Sequence, residues 1–167
     1  MKSLLTKTFI KKIRGYEQDE IIVLATHSQE IWESLKDSRF FTPRVLKLVG
    51  DNIHYEYMDI PDRLDHLWIR QNDFDDTIFI KLGEMLSTIH NSHQSNLLHG
   101  DYVLHNIFLN TLKDICLIDC HPPEVVGYDR TYLYGDAHLE MYLFLLNLTS
   151  SFGIRSSLHQ PAILKSA

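Results

Sequence analysis

Cysteine is scarce in this chain: only Cys116 and Cys120 are present, four positions apart. That spacing suits neither the disulfide framework of a small secreted domain nor a zinc ribbon, so both are expected as reduced thiols. Long apolar runs are also missing. None approaches the ~20 residues that a membrane-spanning helix needs. The opening Met1-Lys2-Ser3-Leu4-Leu5-Thr6-Lys7 lacks the sustained apolar stretch and cleavage site of a secretory leader. A soluble, cytoplasmic protein with no membrane span is the expectation. There is no basic excess either. The net charge is −6 with no long Lys/Arg run, which disfavours nucleic acid as a partner. Ten histidines invite a metal reading, above all His90, His93, His99, His105 and His121. No His-Glu-x-x-His or Cys-x-x-Cys spacing accompanies them, and a zinc centre is not expected.

What is present is an ordinary globular composition, 44% hydrophobic and 23% charged over 167 residues, long enough to bury a core. The chain is organised around 97–120. Apolar runs at 107–109 and 115–118 flank Asn110-Thr111-Leu112-Lys113-Asp114, which predicts a β-hairpin with a short polar loop. His99, Asp101 and Asn106 precede its first strand, and Asp119 follows its second. The hairpin is expected to return Asp119 beside Asn106, with Asp101 on the same side. Three oxygen-bearing side chains at the open end of a hairpin suit phosphoryl transfer, which consists mainly of alignment and charge neutralisation. Mg²⁺ keeps waters and phosphate oxygens, so one carboxylate and one amide are enough protein ligands. The second carboxylate is then free to take the proton of an acceptor hydroxyl.

His99-Gly100-Asp101-x-x-x-x-Asn106, followed by Ile118-Asp119 at a strand end, resembles the aminoglycoside phosphotransferase branch of the protein-kinase-like superfamily. The resemblance implies ATP and Mg²⁺ as cofactors. It makes Asp101 the catalytic base, with His99 bracing the catalytic loop, and Asn106 and Asp119 the metal ligands. Gly135-Asp136-x-x-x-Glu140-Met141 resembles the family's Gly-Asp-x-x-x-Asp-Leu-Ala segment, where a carboxylate on a helix ties back that loop; here Glu replaces Asp. Gly100 stands where protein kinases carry the Arg that reads a phosphorylated activation loop, which disfavours phosphorylation-controlled protein kinase activity. Asp119-Cys120-His121 stands in for the Asp-Phe-Gly turn.

Upstream, residues 8–14 predict a short strand. By the resemblance its Lys11, or Lys12 on the opposite face, grips the nucleotide phosphates. Between Glu17 and Lys36 apolar residues recur at helical spacing. One long helix fits, as does a strand at 20–26 followed by a helix capped by Thr26 or Ser28. Either way Glu30 is helical, and its distance to Pro43 is similar to the family's pattern of a helix Glu followed by a Pro-led strand, a resemblance that implies Glu30 as the partner of the phosphate-gripping Lys. Gly50-Asp51-Asn52 turns a second hairpin, 44–49 with 53–58. Its outgoing strand resembles the one leading into the kinase hinge, with Glu56 and Met58 flanking the backbone that would recognise adenine. A helix over 77–90 is expected, capped by Asp75 or Asp76, with Ile78, Leu82, Met85, Leu86 and Ile89 as its buried stripe. Asp136 is expected to cap a last helix, and the tail beyond Phe152-Gly153 to be irregular.

The expected fold is therefore α+β and protein-kinase-like. It has two lobes: a reduced N-lobe over 1–60 with a hinge near 56–61, and a short C-lobe over 61–167. Two departures from the family stand out. No glycine occurs among residues 1–10, where a glycine-rich nucleotide loop belongs. The later helices that build the acceptor pocket in relatives are mostly missing. The leading expectation is an ATP-dependent kinase acting on a hydroxyl of a small-molecule or sugar-like acceptor. The alternatives are a pseudokinase or truncated relative serving as a nucleotide- or protein-binding module, and a lipopolysaccharide-core or protein kinase.

Overall fold

The computed structural model describes residues 7–70, 77–92, 97–110, 114–122 and 137–158. Its elements run β1 (Thr8–Lys12), α1 (Gln18–Leu35), β2 (Val45–Val49), β3 (Asn52–Glu56), β4 (Asp62–Arg63), α2 (Leu64–Arg70), α3 (Thr77–His90), a 3₁₀ turn (Leu104–Asn106), β5 (Ile107–Leu109), β6 (Ile115–Leu117) and α4 (Ala137–Leu158). Among the described residues these form a mixed α+β chain with two antiparallel three-stranded sheets, ordered β1-β3-β2 and β4-β5-β6. The caps expected at Asp75 or Asp76, and the Gly135-Asp136 turn, lie outside the described residues. No helix among the described residues is long and apolar enough to cross a membrane.

Register decides which side of the first sheet is buried. Phe9 lies opposite Tyr55 and Lys11 opposite Ile53, while Val45 and Leu48 face the same two β3 residues from the other edge. Paired residues share a face, so Phe9, Lys11, Val45, Leu48, Ile53 and Tyr55 all project to one side. There Ile53 and Tyr55 pack with Ile21, Leu24 and Ala25 of α1. The 20–26 stretch is helix, not strand: Ile21, Leu24, Ser28, Ile31 and Leu35 form one buried stripe along a single helix. Its start is fixed by Glu20, whose carboxylate accepts the Glu17 backbone N–H at 2.8 Å, half of a capping box. The far end of the same helix sends Ile31 and Leu35 into a second core, with α3, the second sheet and Phe144 of α4. α1 thus joins the two cores.

The second core rests on α3, whose five expected stripe residues are all buried. At about 2 kcal/mol per buried side chain, that stripe alone contributes on the order of the net stability of a domain. After α1 the chain passes along the free edge of β6, where Phe41 N–H donates to Ile115 O (3.0 Å) and Leu117 N–H to Phe41 O (2.8 Å). α4 departs from expectation by running on to Leu158 past Gly153. Thr149, Ser150 and Ser151 bond back to helix carbonyls of Leu146 and Asn147, so these polar side chains are satisfied within the helix. One interior glycine costs about 1 kcal/mol, too little to stop a helix.

Candidate functional site

The loop before β5 is held in place mainly through its backbone. His99 is fully buried. Its Nδ1 accepts the Asp101 N–H (3.2 Å) and its Nε2 lies 3.1 Å from Ile118 O. This pairing requires the Nε2–H tautomer, a neutral ring with both nitrogens engaged. Burial lowers the pKa of His99, and the ring acts as a brace between the loop and the end of β6, not as a proton carrier. Gly100 has φ +81°, and a Cβ there would sit 1.6 Å from His121 O. His121 N–H donates to His99 O at 2.8 Å, so two backbones pass too closely for any side chain. Glycine is required here for steric reasons. The 3₁₀ turn then points Asn106 back: its Nδ2 donates to Asp101 O (3.0 Å) and to Asp101 Oδ2 (2.9 Å). Ile118 N–H donates to Asn106 O at 3.0 Å, setting Asn106 beside the end of β6.

Asp119 follows immediately, with φ +59°, the sole non-glycine left-handed residue among those described. Such a conformation is uncommon outside glycine, though Asp adopts it more readily than most residues, and it turns the carboxylate toward β1. There Lys11 forms an ion pair with Asp119 Oδ1. Lys12, on the opposite face of the strand, lies 3.4 Å from Asp51. Lys11, Asp101 and Asp119 line one open cleft of about 430 Å³, together with Arg14, Tyr16 and His105.

Glu30 does not join them. Its carboxylate is 4.0 Å from His27 Nδ1, and it lines a separate hollow with Ser34, Asp37 and Leu97. Helix geometry explains the difference. The face of α1 toward Lys11 carries Leu24, which lines the cleft, and Ser28, bonded to Tyr55 OH (3.2 Å). Glu30 is two residues past Ser28, roughly 200° around the helix. Glu56 pairs with Arg44 at 3.8 Å, so its side chain is occupied outside the cleft. Glu56 and Met58 nevertheless both line a second, largely apolar slot of about 270 Å³, with Phe9, Pro43, Tyr55, Tyr57 and Ile118. Phe9 and Lys11 share a face of β1, and Ile118 and Asp119 are consecutive, so the slot adjoins the cleft.

Of the supporting groups, Glu140 is the helix carboxylate that the sequence offered as the tie of this loop, whereas Asn147, Tyr102 and His27 carried no such signal. Glu140, only 2% exposed, accepts the N–H of Gly100 at 2.5 Å and of His99 at 3.2 Å, and meets His90 Nε2 at 2.7 Å. Seven residues on, along the same face of α4, Asn147 accepts the Leu104 N–H (3.1 Å). One helix therefore anchors both ends of the loop. Tyr102 OH donates to Leu82 O of α3 (2.8 Å). His27 of α1 is buried, with Nε2 unpaired among the described residues; burial, reinforced by His99, lowers its pKa to about 4. Burial pushes the Cys120 thiol up to about 11, so it is no nucleophile at neutral pH. The usable signal for Asn147 was its seven-residue spacing from Glu140 on an otherwise apolar helix face.

In donor chemistry, the Asp119 carboxylate and the Asn106 amide oxygen are of the kind a hard cation takes alongside phosphate and water; among the described residues no group of three or more His, Cys, Asp or Glu side chains is placed to hold a metal. No family model matches the chain, and no curated protein matches it.

Proposed function

We propose that this protein is an ATP- and Mg²⁺-dependent phosphotransferase with a protein-kinase-like fold, acting on the hydroxyl of a small-molecule acceptor. One observation carries the reading: residues from three separate segments, Lys11, Asp101 and Asp119, converge on one cleft that adjoins an apolar slot, with Asn106 bonded to Asp101 behind it. The sheet order β1-β3-β2 with α1 packed against it supports the same fold. In this reading the slot takes the adenine, Lys11 contacts the phosphates, and Asn106 and Asp119 hold the metal. Bound Mg²⁺ supplies positive charge against the phosphates. Asp101, oriented by the Asn106 amide, receives the proton as the acceptor oxygen forms its bond to phosphorus and the bond to the departing diphosphate breaks.

The test is a thermal shift with ATP, with and without Mg²⁺, on wild type and Asp119→Ala. A ligand at 100 times its Kd adds about 2.7 kcal/mol, which a melting curve reads easily. Mg²⁺-dependent stabilisation that disappears in Asp119→Ala is the expected outcome; no shift in wild type would end the proposal. Asp101→Asn should keep the shift and lose about 10²–10⁴-fold in turnover. A second reading, a binding module without turnover, is favoured by one fact: α1 presents Leu24 and Ser28, not a carboxylate, toward Lys11. It predicts the shift without transfer to any acceptor.

A further inference from the structure

We propose that the acceptor is an anion: a hydroxylated small molecule carrying a phosphate or carboxylate, held by Arg14. The inference rests on the phosphotransferase reading and specifies its substrate class. Its basis is the charge of the cleft. Apart from Asp101 and Asp119, the ionisable side chains lining it are Lys11, Lys12, Arg14, Tyr16, His105 and His121, and none of these is acidic. Lys11 pairs with Asp119 and, in the phosphotransferase reading, serves the nucleotide phosphates, while Lys12 is turned toward Asp51. Arg14 makes no ion pair among the described residues and is exposed, so it is the full positive charge left to a ligand. A polycationic acceptor would meet repulsion from that side, whereas an anionic oxygen meets a fork of N–H donors.

Position separates Arg14 from the nucleotide phosphates. At about 3.3 Å per residue, β1 carries the chain roughly 7 Å from Phe9, at the apolar slot, to Lys11, at the metal-ligand carboxylate. Arg14 follows in the turn after β1 ends at Lys12, beyond Lys11 in the chain and still in the cleft with Asp101. Its turn is fixed on both sides. Gly15 takes φ +82°, Ile13 is buried, and its N–H donates to Asp51 O at 2.9 Å. Tyr16 OH meets His121 Nε2 at 3.3 Å, docking the turn onto the segment that follows Asp119. The guanidinium is thereby presented at the acceptor end of the cleft by a braced turn.

The test compares glycerol 3-phosphate, glycerate, glycerol and kanamycin, each at millimolar concentration, on protein saturated with Mg²⁺ and a non-hydrolysable ATP analogue. Glycerol 3-phosphate or glycerate should raise the melting temperature by at least about 2 °C, and whichever acts names the anionic group. Glycerol and kanamycin should not. Arg14→Glu should abolish the anion shift, and Arg14→Lys should restore part of it, which a merely structural role for Arg14 would not produce. Stabilisation by kanamycin or glycerol equal to that by the anions overturns the inference, as does an anion shift that survives in Arg14→Glu. The two readings fail separately. A shift from the ATP analogue without an Arg14-dependent anion shift removes the anion site and leaves the phosphotransferase. An Arg14-dependent anion shift with no response to the analogue removes the phosphotransferase and leaves an anion site.

Discussion

Glu140→Ala is the substitution that most directly probes how the loop is held. The carboxylate accepts two buried backbone N–H groups, from Gly100 and His99, and the His90 imidazole, at a position only 2% exposed. Truncation leaves both N–H groups buried without an acceptor, at about 1–3 kcal/mol each. With the small cavity added, the expected loss is about 4 kcal/mol, a large part of the ~5–15 kcal/mol that holds a domain. Glu140→Gln keeps the volume and one acceptor oxygen, so about half that loss is expected. Urea unfolding reads the difference: with a slope near 2 kcal/mol per molar, Glu140→Ala moves the midpoint down by about 2 M. Hydrogen exchange adds the local signature. The amides of residues 99 and 100 should lose protection by more than the global change, while those of α3 follow it. A Glu140→Ala protein within about 0.5 kcal/mol of wild type, with those two amides still protected, would refute the claim that α4 anchors the loop.

Gly100→Ala should be worse. It combines a left-handed backbone penalty of about 1–2 kcal/mol with a Cβ placed 1.6 Å from His121 O, so a marked fall in melting temperature and loss of the Mg²⁺–ATP shift are expected. His27 predicts the pH dependence. Its pKa is lowered from 6.5 to about 4 by burial and by His99, so the unfolded chain binds more protons and stability falls as pH drops below 6.5. From about pH 7.5 to about pH 5 this group alone removes roughly 2 kcal/mol. His99, buried and lowered likewise, acts in the same direction. Urea titrations at the two pH values should show a smaller difference in His27→Leu than in wild type. Finally, Lys11→Met should abolish stabilisation by Mg²⁺–ATP, while Lys12→Met keeps most of it, because Lys12 is turned toward Asp51.

The parts of the site legible in the sequence were those set by short-range spacing. Apolar runs around a polar loop fixed the hairpin, and the hairpin brought Asn106, Asp101 and the segment before Asp119 together as expected. Strand alternation separated Lys11 from Lys12, although it left open which of them turns inward. Glu30 was misjudged because its separation from Pro43 carries no rotational information. Which face of α1 looks at Lys11 is decided by the packing of Ile21, Leu24 and Ser28 against β3. β4 and α2 escaped notice: two residues of strand leave no periodic trace, and β4 exists through its pairing with β5. Asn147 is a half-buried polar residue of α4 whose partner lies 43 residues away, and His27 is a buried one of α1 whose Nε2 has no partner among the described residues.

The division of labour between backbone and side chains explains how such a site is both fixed and open. The loop backbone is tied by Glu140, His99 and Tyr102, which are buried, and by the half-buried Asn147. The groups that would meet a ligand are accessible instead: in the Lys11–Asp119 pair the side chains are 37% and 45% exposed. An ion pair so exposed is worth about 0–1 kcal/mol, whereas breaking a buried one costs about 3–5 kcal/mol. Lys11 can therefore exchange Asp119 for a phosphate oxygen, and Asp119 can exchange Lys11 for a divalent cation, at little cost. Asp119 needs no backbone movement for this, since its left-handed φ already turns the carboxylate into the cleft. The energy invested in the site lies in the frame beneath the reactive groups, which is why substitutions at Glu140 and Gly100 should damage stability, and those at Lys11 and Asp119 chiefly ligand binding.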